Sequence, residues 1–259
     1  MVFQLRRTKL IFSKLLIVLA ALIFPAAAVT NTSVKTVYLY TYHNKPPFIV
    51  DLKKRTGLFF DLAQYLSQQD SQIQYRTEYI PRKRLDRLIE TESLDAVVIG
   101  VNPVWFNDIS KKRFLWLPPI YKDRDDFVSL SSTPFDFEGS KSFVDKRVVG
   151  VAGYYYFGIN EVVEKGVLQR VDTIGEKEVL DMLARERADF GIVSRSVFTY
   201  LKSQSQLPDI YHLSAQPHDI FLRSAFTLKK HKEIHQRLLP LMESLRYDKQ
   251  WKLIAAQYE

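Results

Sequence analysis

Strand-like and helix-like spacings alternate along this chain from residue 36 onward. TVYLYTY (36–42) has the β-branched and aromatic density of a strand, and GLFFDLAQYLSQQ (57–69) repeats Leu58, Leu62, Tyr65 and Leu66 at helical spacing. Pro46, Pro47 and Gly57 mark a loop between them. IQYRTEYI (73–80) predicts a second strand. PRKRLDRLIETE (81–92) places Pro81 at the first helical position and turns Leu85, Leu88 and Ile89 to one side, and LDAVVIGV (94–101) predicts a third strand. Residues 96–99, Ala-Val-Val-Ile, form an unbroken apolar run, as in a strand covered on both faces of a parallel sheet. Pro103, Trp105 and Phe106 follow at once, on the strand edge where open α/β sheets bind ligands.

The same order recurs after residue 145, in KRVVGVAG, YYYFGINEVVEKG, LQRVDTI, GEKEVLDMLARER, ADFGIVSRS and VFTYLKSQ. Two similar α/β lobes follow from this repetition. RDDFVSLSS (124–132) and a linker-like TPFDFEGS lie between them, and HDIFLRSAFTLKK (218–230) is strand-like. A C-terminal helix carries Ile234, Leu238, Leu241 and Leu245 at helical spacing, with Pro240 expected to kink or break it.

The N-terminus changes the compartment. MVFQLRRTKLIFSK holds Arg6, Arg7, Lys9 and Lys14 without an acid, and an apolar run then ends in small residues, with Ala26 and Ala28 as an A-x-A cleavage signature. This is the layout of a cleaved secretory signal peptide spanning residues 1–28. The run contains Pro25 and falls short of the ~20 residues needed to cross a bilayer, so the processed protein is expected to be periplasmic and not embedded in the membrane. With no cysteine there is no lipid-anchored N-terminal cysteine, disulfide, thiolate metal site or cysteine nucleophile. The formal charge of +8 also shrinks. Taking the four leader cations from the 37 basic residues leaves 33 against 29 acidic, a net of +4 without a basic stripe, which argues against a nucleic-acid partner.

TVYLYTYHNKPPF followed by GLFFDLAQYLS, then LDAVVIG, WLPPIY, KRVVGVAGYYY, ADFGIVSRS and the terminal KLIAAQYE resemble, in order and spacing, the periplasmic solute-binding proteins of ABC importers, in the family that includes the polar amino-acid binders. The resemblance covers essentially the whole processed chain. It implies an α/β, two-lobed type II periplasmic binding protein fold, each lobe a mostly parallel sheet flanked by helices, joined by two crossover hinge strands. The first lobe would hold residues 29–126 plus 224–259 and the second residues 127–223, with crossings near 126–131 and 219–225, and a ligand would be trapped by hinge closure. Amino-acid binders of the family place a carboxylate-clamping arginine where this chain has Ser110, and an ammonium-holding aspartate where it has Ser194. Lys111, Lys112 and Arg113 are candidates to replace the first charge. Arg195, beside the second, has the wrong sign for an ammonium.

Candidate ligand-binding residues are Tyr42, His43, Phe48, Asn102, Trp105, Phe106, Tyr121, Gly153, Tyr154, Ser194 and Arg195, all at predicted strand ends or loops. The aromatic members suit a ring or apolar group, though interlobe packing draws on the same residue types. Tyr155 and Tyr156 cannot both face a cleft if a helix begins there. Gly153 stands where a strand is expected to give way to a helix whose free N–H groups would receive an anion, and Arg195 would serve an anionic group. HKEIH (231–235) has two histidines four apart, but Lys232 stands where a metalloprotease has glutamate, so a solvated helix face is expected and no metal. No cofactor is implied.

These features lead to a monomeric, non-enzymatic periplasmic protein. It would capture a small polar solute, aromatic or amino-acid-derived, and deliver it to the membrane subunit of an ABC importer. Two alternatives stay open: a periplasmic enzyme of dehydratase type on the same fold, with His43 as its base, and a ligand-sensing partner of a membrane receptor.

Overall fold

A computed structural model describes residues 34–258. The expected leader and its cleavage point at Ala28 lie outside the described residues. The chain runs β1 (Lys35–Thr41), α1 (Leu58–Gln69), β2 (Ile73–Tyr79), α2 (Arg82–Glu90), β3 (Val97–Val101), β4 (Leu115–Leu130), β5 (Lys146–Val151), α3 (Ile159–Glu164), β6 (Leu168–Thr173), α4 (Glu176–Ala184), β7 (Phe190–Ser194), α5 (Arg195–Ser203), β8 (Tyr211–Leu213), β9 (Asp219–Thr227), α6 (Lys232–Ser244) and α7 (Lys249–Ala255).

The strands are ordered β2-β1-β3-β9-β4-β7-β5-β6, with β8 pairing β4. The outer pairs at each end are parallel, β1 with β2 and β3, and β5 with β6 and β7. The centre is antiparallel. β4 pairs β9 from Leu115↔Thr227 to Leu117↔Ala225, shifts register, and pairs it again from Tyr121↔Arg223 to Asp125↔Asp219. From Asp125 onward β4 also pairs β7, while Ser224 to Phe226 of β9 pair β3. These two long strands therefore belong to both ends of the sheet. Each end has an apolar core on both faces. Leu39, Phe59, Leu62 and Trp251 are buried on one face of the first end and Leu85, Val98, Phe106 and Phe226 on the other; Val149, Val179 and Val197, then Phe127, Phe135 and Phe190, do the same at the second.

Every residue of β3 is buried, as its unbroken apolar run predicts. Gly100 interrupts its register at φ +76°, and a Cβ there would stand 2.4 Å from the Phe59 ring, so close packing as well as backbone conformation requires glycine.

Three local expectations are corrected. Pro81 is the residue before α2 and not its first turn, because its extended ψ of 139° leaves it outside the helix. No helix begins at Gly153; α3 starts six residues later, at Ile159, so the expected N-terminal anion site beside Gly153 is absent. Of the kink or break expected at Pro240, the break does not occur there, because Pro240 lies inside α6. The break comes at residues 245–248, where the N–H groups of Tyr247 and Asp248 turn back to the Ser244 carbonyl, both at 2.9 Å, and the Asp248 carboxylate accepts from Trp251 N at 2.7 Å to start α7. That turn delivers Trp251 onto Tyr65, with ring centroids 5.6 Å apart.

Candidate functional site

A cluster of charged side chains lies buried where the loop after β1 meets the end of β7 and the middle of β4 and β9. Its members come from both ends of the sheet. Lys45, on the loop after β1, is 7% exposed, and Glu176, the first residue of α4, is 5% exposed. A lysine at that depth loses most of its hydration and must be paired. Lys45 Nζ forms an ion pair with Glu176 Oε1 and donates to Ser194 Oγ at 2.8 Å, with the Tyr154 ring face 5.8 Å away. Glu176 in turn accepts from Ser194 N at 2.9 Å, which ties the start of α4 to the end of β7. The Ser194 hydroxyl lies 2.8 Å from Asp125 Oδ1. Close packing, and next the neighbouring Glu176 charge, push the Asp125 carboxyl up to about 6.

A second ion pair stands beside the first. Arg223, on β9 and 1% exposed, donates from Nε at 2.9 Å and lies at 2.8 Å through Nη2 to Asp123 Oδ2, and the Ser196 hydroxyl donates to the same oxygen at 2.8 Å. Burial opposes the Asp123 charge, but Arg223 and then Lys45 outweigh it and hold the carboxyl below its usual range. The Arg223 guanidinium is enclosed by rings, with its carbon 4.5 Å from the Phe48 centroid, 4.9 Å from Phe221 and 5.5 Å from Trp105. Its Nη1 also faces His43 Nε2 and the Gly100 carbonyl, both at 3.4 Å. Burial, and then the charges of Arg223 and Lys45, hold His43 well below the usual histidine value, so the imidazole is neutral. Burial pushes the Tyr42 phenol up to about 12 and that of Tyr154 upward as well, leaving both neutral at pH 7.

Of the residues singled out in the sequence, Tyr42, His43, Phe48, Trp105, Tyr154 and Ser194 gather around these two ion pairs. The Tyr42 ring lies 4.1 Å from that of His43, Trp105 stands edge-on to His43 at 5.7 Å and to Phe221 at 4.9 Å, and Tyr121 meets Phe48 at 5.8 Å. Others are placed elsewhere. Phe106 is buried against Phe226 and Phe114, at 5.0 and 6.3 Å. Asn102 organises its own turn, accepting from Val104 N at 2.8 Å and donating to the Leu222 carbonyl. Gly153 is exposed, and Arg195 pairs with Asp126 at 2.6 Å.

The candidates for a substitute carboxylate clamp face solvent. Lys111, Lys112 and Arg113 are exposed on a loop whose backbone folds over Asp108. That carboxylate accepts from Lys112 N, Arg113 N, Phe114 N and Trp116 Nε1 at 2.8 to 3.1 Å. The two histidines of HKEIH donate to separate carbonyls, those of Leu94 and Trp116, at 2.8 and 3.0 Å. Among the described residues, no three of histidine, aspartate and glutamate stand together as a metal site.

Sequence reasoning missed Lys45, Glu176, Asp123, Asp125, Phe221 and Arg223. One signal was available for two of them: Phe221, Arg223 and Ala225 share one face of a period-2 strand, so the charge of Arg223 falls on the buried side. Chemically, the cluster offers two cations, three carboxyls and neutral aromatic surface, a set suited to holding a polar solute. Ser194 Oγ accepts from Lys45 and lies within reach of the Asp125 and Glu176 carboxylates, at 2.8 and 3.1 Å.

No protein-family profile matches this chain, and no curated protein matches it. Solved structures do. A putative L-cystine ABC transporter protein from Listeria monocytogenes superposes with a TM-score of 0.68 at 15% identity, over 87% of this chain and 96% of that one. The fold is that of the two-lobed periplasmic binding proteins. The P235GK mutant of ArgBP from T. maritima aligns with a TM-score of 0.66 at 15% identity, covering 86% and 94% of the two chains. A histidine kinase sensor domain with similarity to periplasmic binding proteins gives 0.67 at 13% identity, covering 86% and 95%. Among the described residues no helix is long and apolar enough to cross a membrane.

Proposed function

We propose that this chain is a periplasmic solute-binding protein that captures a small polar solute, aromatic or amino-acid-derived, between its two lobes and delivers it to an ABC importer. The observation that carries the reading is the buried cluster of Lys45, Glu176, Ser194, Asp125, Asp123 and Arg223, drawn from both ends of one sheet and walled by Trp105, Tyr42 and Tyr154. Polar groups of both signs gathered at such a depth suit reversible recognition of a charged solute better than they suit stability, for which apolar packing serves as well. Lobe boundaries at residues 29–126 with 224–259, and 127–223, belong to this proposal, as do export by the leader and a monomeric state.

The role of Ser194 differs from that of the family's aspartate. It hands the charge to Glu176 and Asp125, which stand behind it. Likewise Arg223, on β9, is the buried guanidinium of the cleft in place of one before the WLPPIY segment. Thermal-shift screening of residues 29–259 against a metabolite panel tests the reading, because a solute at 100 times its Kd adds about 2.7 kcal/mol of stability. Loss of uptake of the identified solute in a strain lacking this chain supports the importer. The structural likeness to a kinase sensor domain favours a second reading, that of a ligand-sensing partner, which instead predicts intact uptake and a lost transcriptional response.

A further inference from the structure

The Lys45 side chain joins the two ends of the sheet. Its loop belongs to the β1 end of the sheet, and both of its acceptors belong to the other end: Glu176, 131 residues away, and Ser194, 149 residues away. An ammonium has three donors. Two are spent on Glu176 Oε1 and Ser194 Oγ, and the Tyr154 ring face lies 5.8 Å from the nitrogen. Asp125, hydrogen-bonded to Ser194, adds a further carboxyl behind the hydroxyl. Glu176 and Ser194 are themselves fixed by their mutual bonds and not by the lysine, so the receptor for the ammonium is built independently of its occupant.

We propose that Lys45 is a tethered stand-in for the solute: Glu176, Ser194 and Tyr154 form a primary-ammonium site that Lys45 occupies in the free chain, latching the two ends together, and a solute bearing a primary ammonium enters by displacing it. This deepens the solute-binding reading by naming the chemistry of one part of the ligand. The second ion pair leaves that chemistry to the ammonium site, because Arg223 already has Asp123 as its counter-ion and lies inside a cage of rings. A second contact across the two ends, the Tyr200 ring on that of Tyr258 at 6.5 Å, is uncharged and does not depend on Lys45.

The latch predicts chemical rescue. Lys45→Ala should give a free chain with a larger radius of gyration by X-ray scattering than the wild type, and ethylammonium chloride at tens of millimolar should return it to the wild-type value while sodium chloride at equal ionic strength does not. Adding Glu176→Gln to Lys45→Ala should abolish the rescue. A Lys45→Ala chain as compact as the wild type, or one indifferent to ethylammonium, overturns the proposal. If circular dichroism shows Lys45→Ala unfolded, Lys45→Met, which keeps the aliphatic stem, is read in the same assays, and unfolding of both overturns the latch in favour of a purely structural ion pair. None of these measurements uses the natural solute, so a compact Lys45→Ala chain leaves the solute-binding reading standing, and a panel without hits leaves the rescue intact.

Discussion

Trp105 and Phe106 are neighbours in sequence with separate roles. Phe106 is buried among Phe114 and Phe226, whereas Trp105 is half-buried and leans on Phe221, His43 and the Arg223 guanidinium. Phe106→Ala is therefore expected to cost ~3 to 5 kcal/mol in chemical denaturation. Trp105→Ala should cost less stability and weaken solute binding by ~2 kcal/mol, as read by titration calorimetry. Asp125 gives a pH prediction. Its carboxyl is raised to about 6 in the folded chain, against ~3.9 unfolded, so the folded state holds the proton more tightly. Its contribution is full below the unfolded value and is lost as pH rises through about 6. Asp125→Asn should remove this part of the decline in unfolding free energy between about pH 4 and 6. Asp70, lowered to about 2 chiefly by its bonds with Arg237, acts the opposite way, and only below that window. At this scale the sequence pointed to Tyr42, Trp105 and Ser194, because strand ends are legible from apolar runs. Lys45 and Glu176 were not, because each matters only through a partner 131 residues away.

Elements were legible wherever one face is apolar. β1, α1, β2, β3, β6 and β9 fall within a few residues of the runs that predict them, since alternation and helical spacing report burial directly. Helix ends were less so. The start of α3 at Ile159 and the break after Ser244 depend on turns closed by backbone and carboxylate bonds, which leave no periodic trace. Asp248 is one such carboxylate, and Asp248→Ala should cost about 1 kcal/mol in urea denaturation through loss of the cap on α7. Asp108 is another. It satisfies three backbone N–H groups and the Trp116 indole, so Asp108→Ala, which strands several donors, should cost ~3 kcal/mol or more by the same measurement.

Across the whole molecule, the repeated strand and helix order made the two-lobed architecture readable, because each repeat must bury its own sheet on both faces. What the repeats could not reveal is that β4 and β9 pair with each other along most of their length while serving both ends of one sheet. This arrangement has a consequence for synthesis. The strands and helices of the second end, from Asp125 to Leu213, are contiguous and can assemble as soon as they leave the ribosome. β3 has to wait for β9, and Tyr65 on α1 waits for Trp251 on α7. The first end of the sheet is thus completed after the second, and until then it presents an open strand edge and an uncovered helix face, the state in which a newly made chain most needs a chaperone.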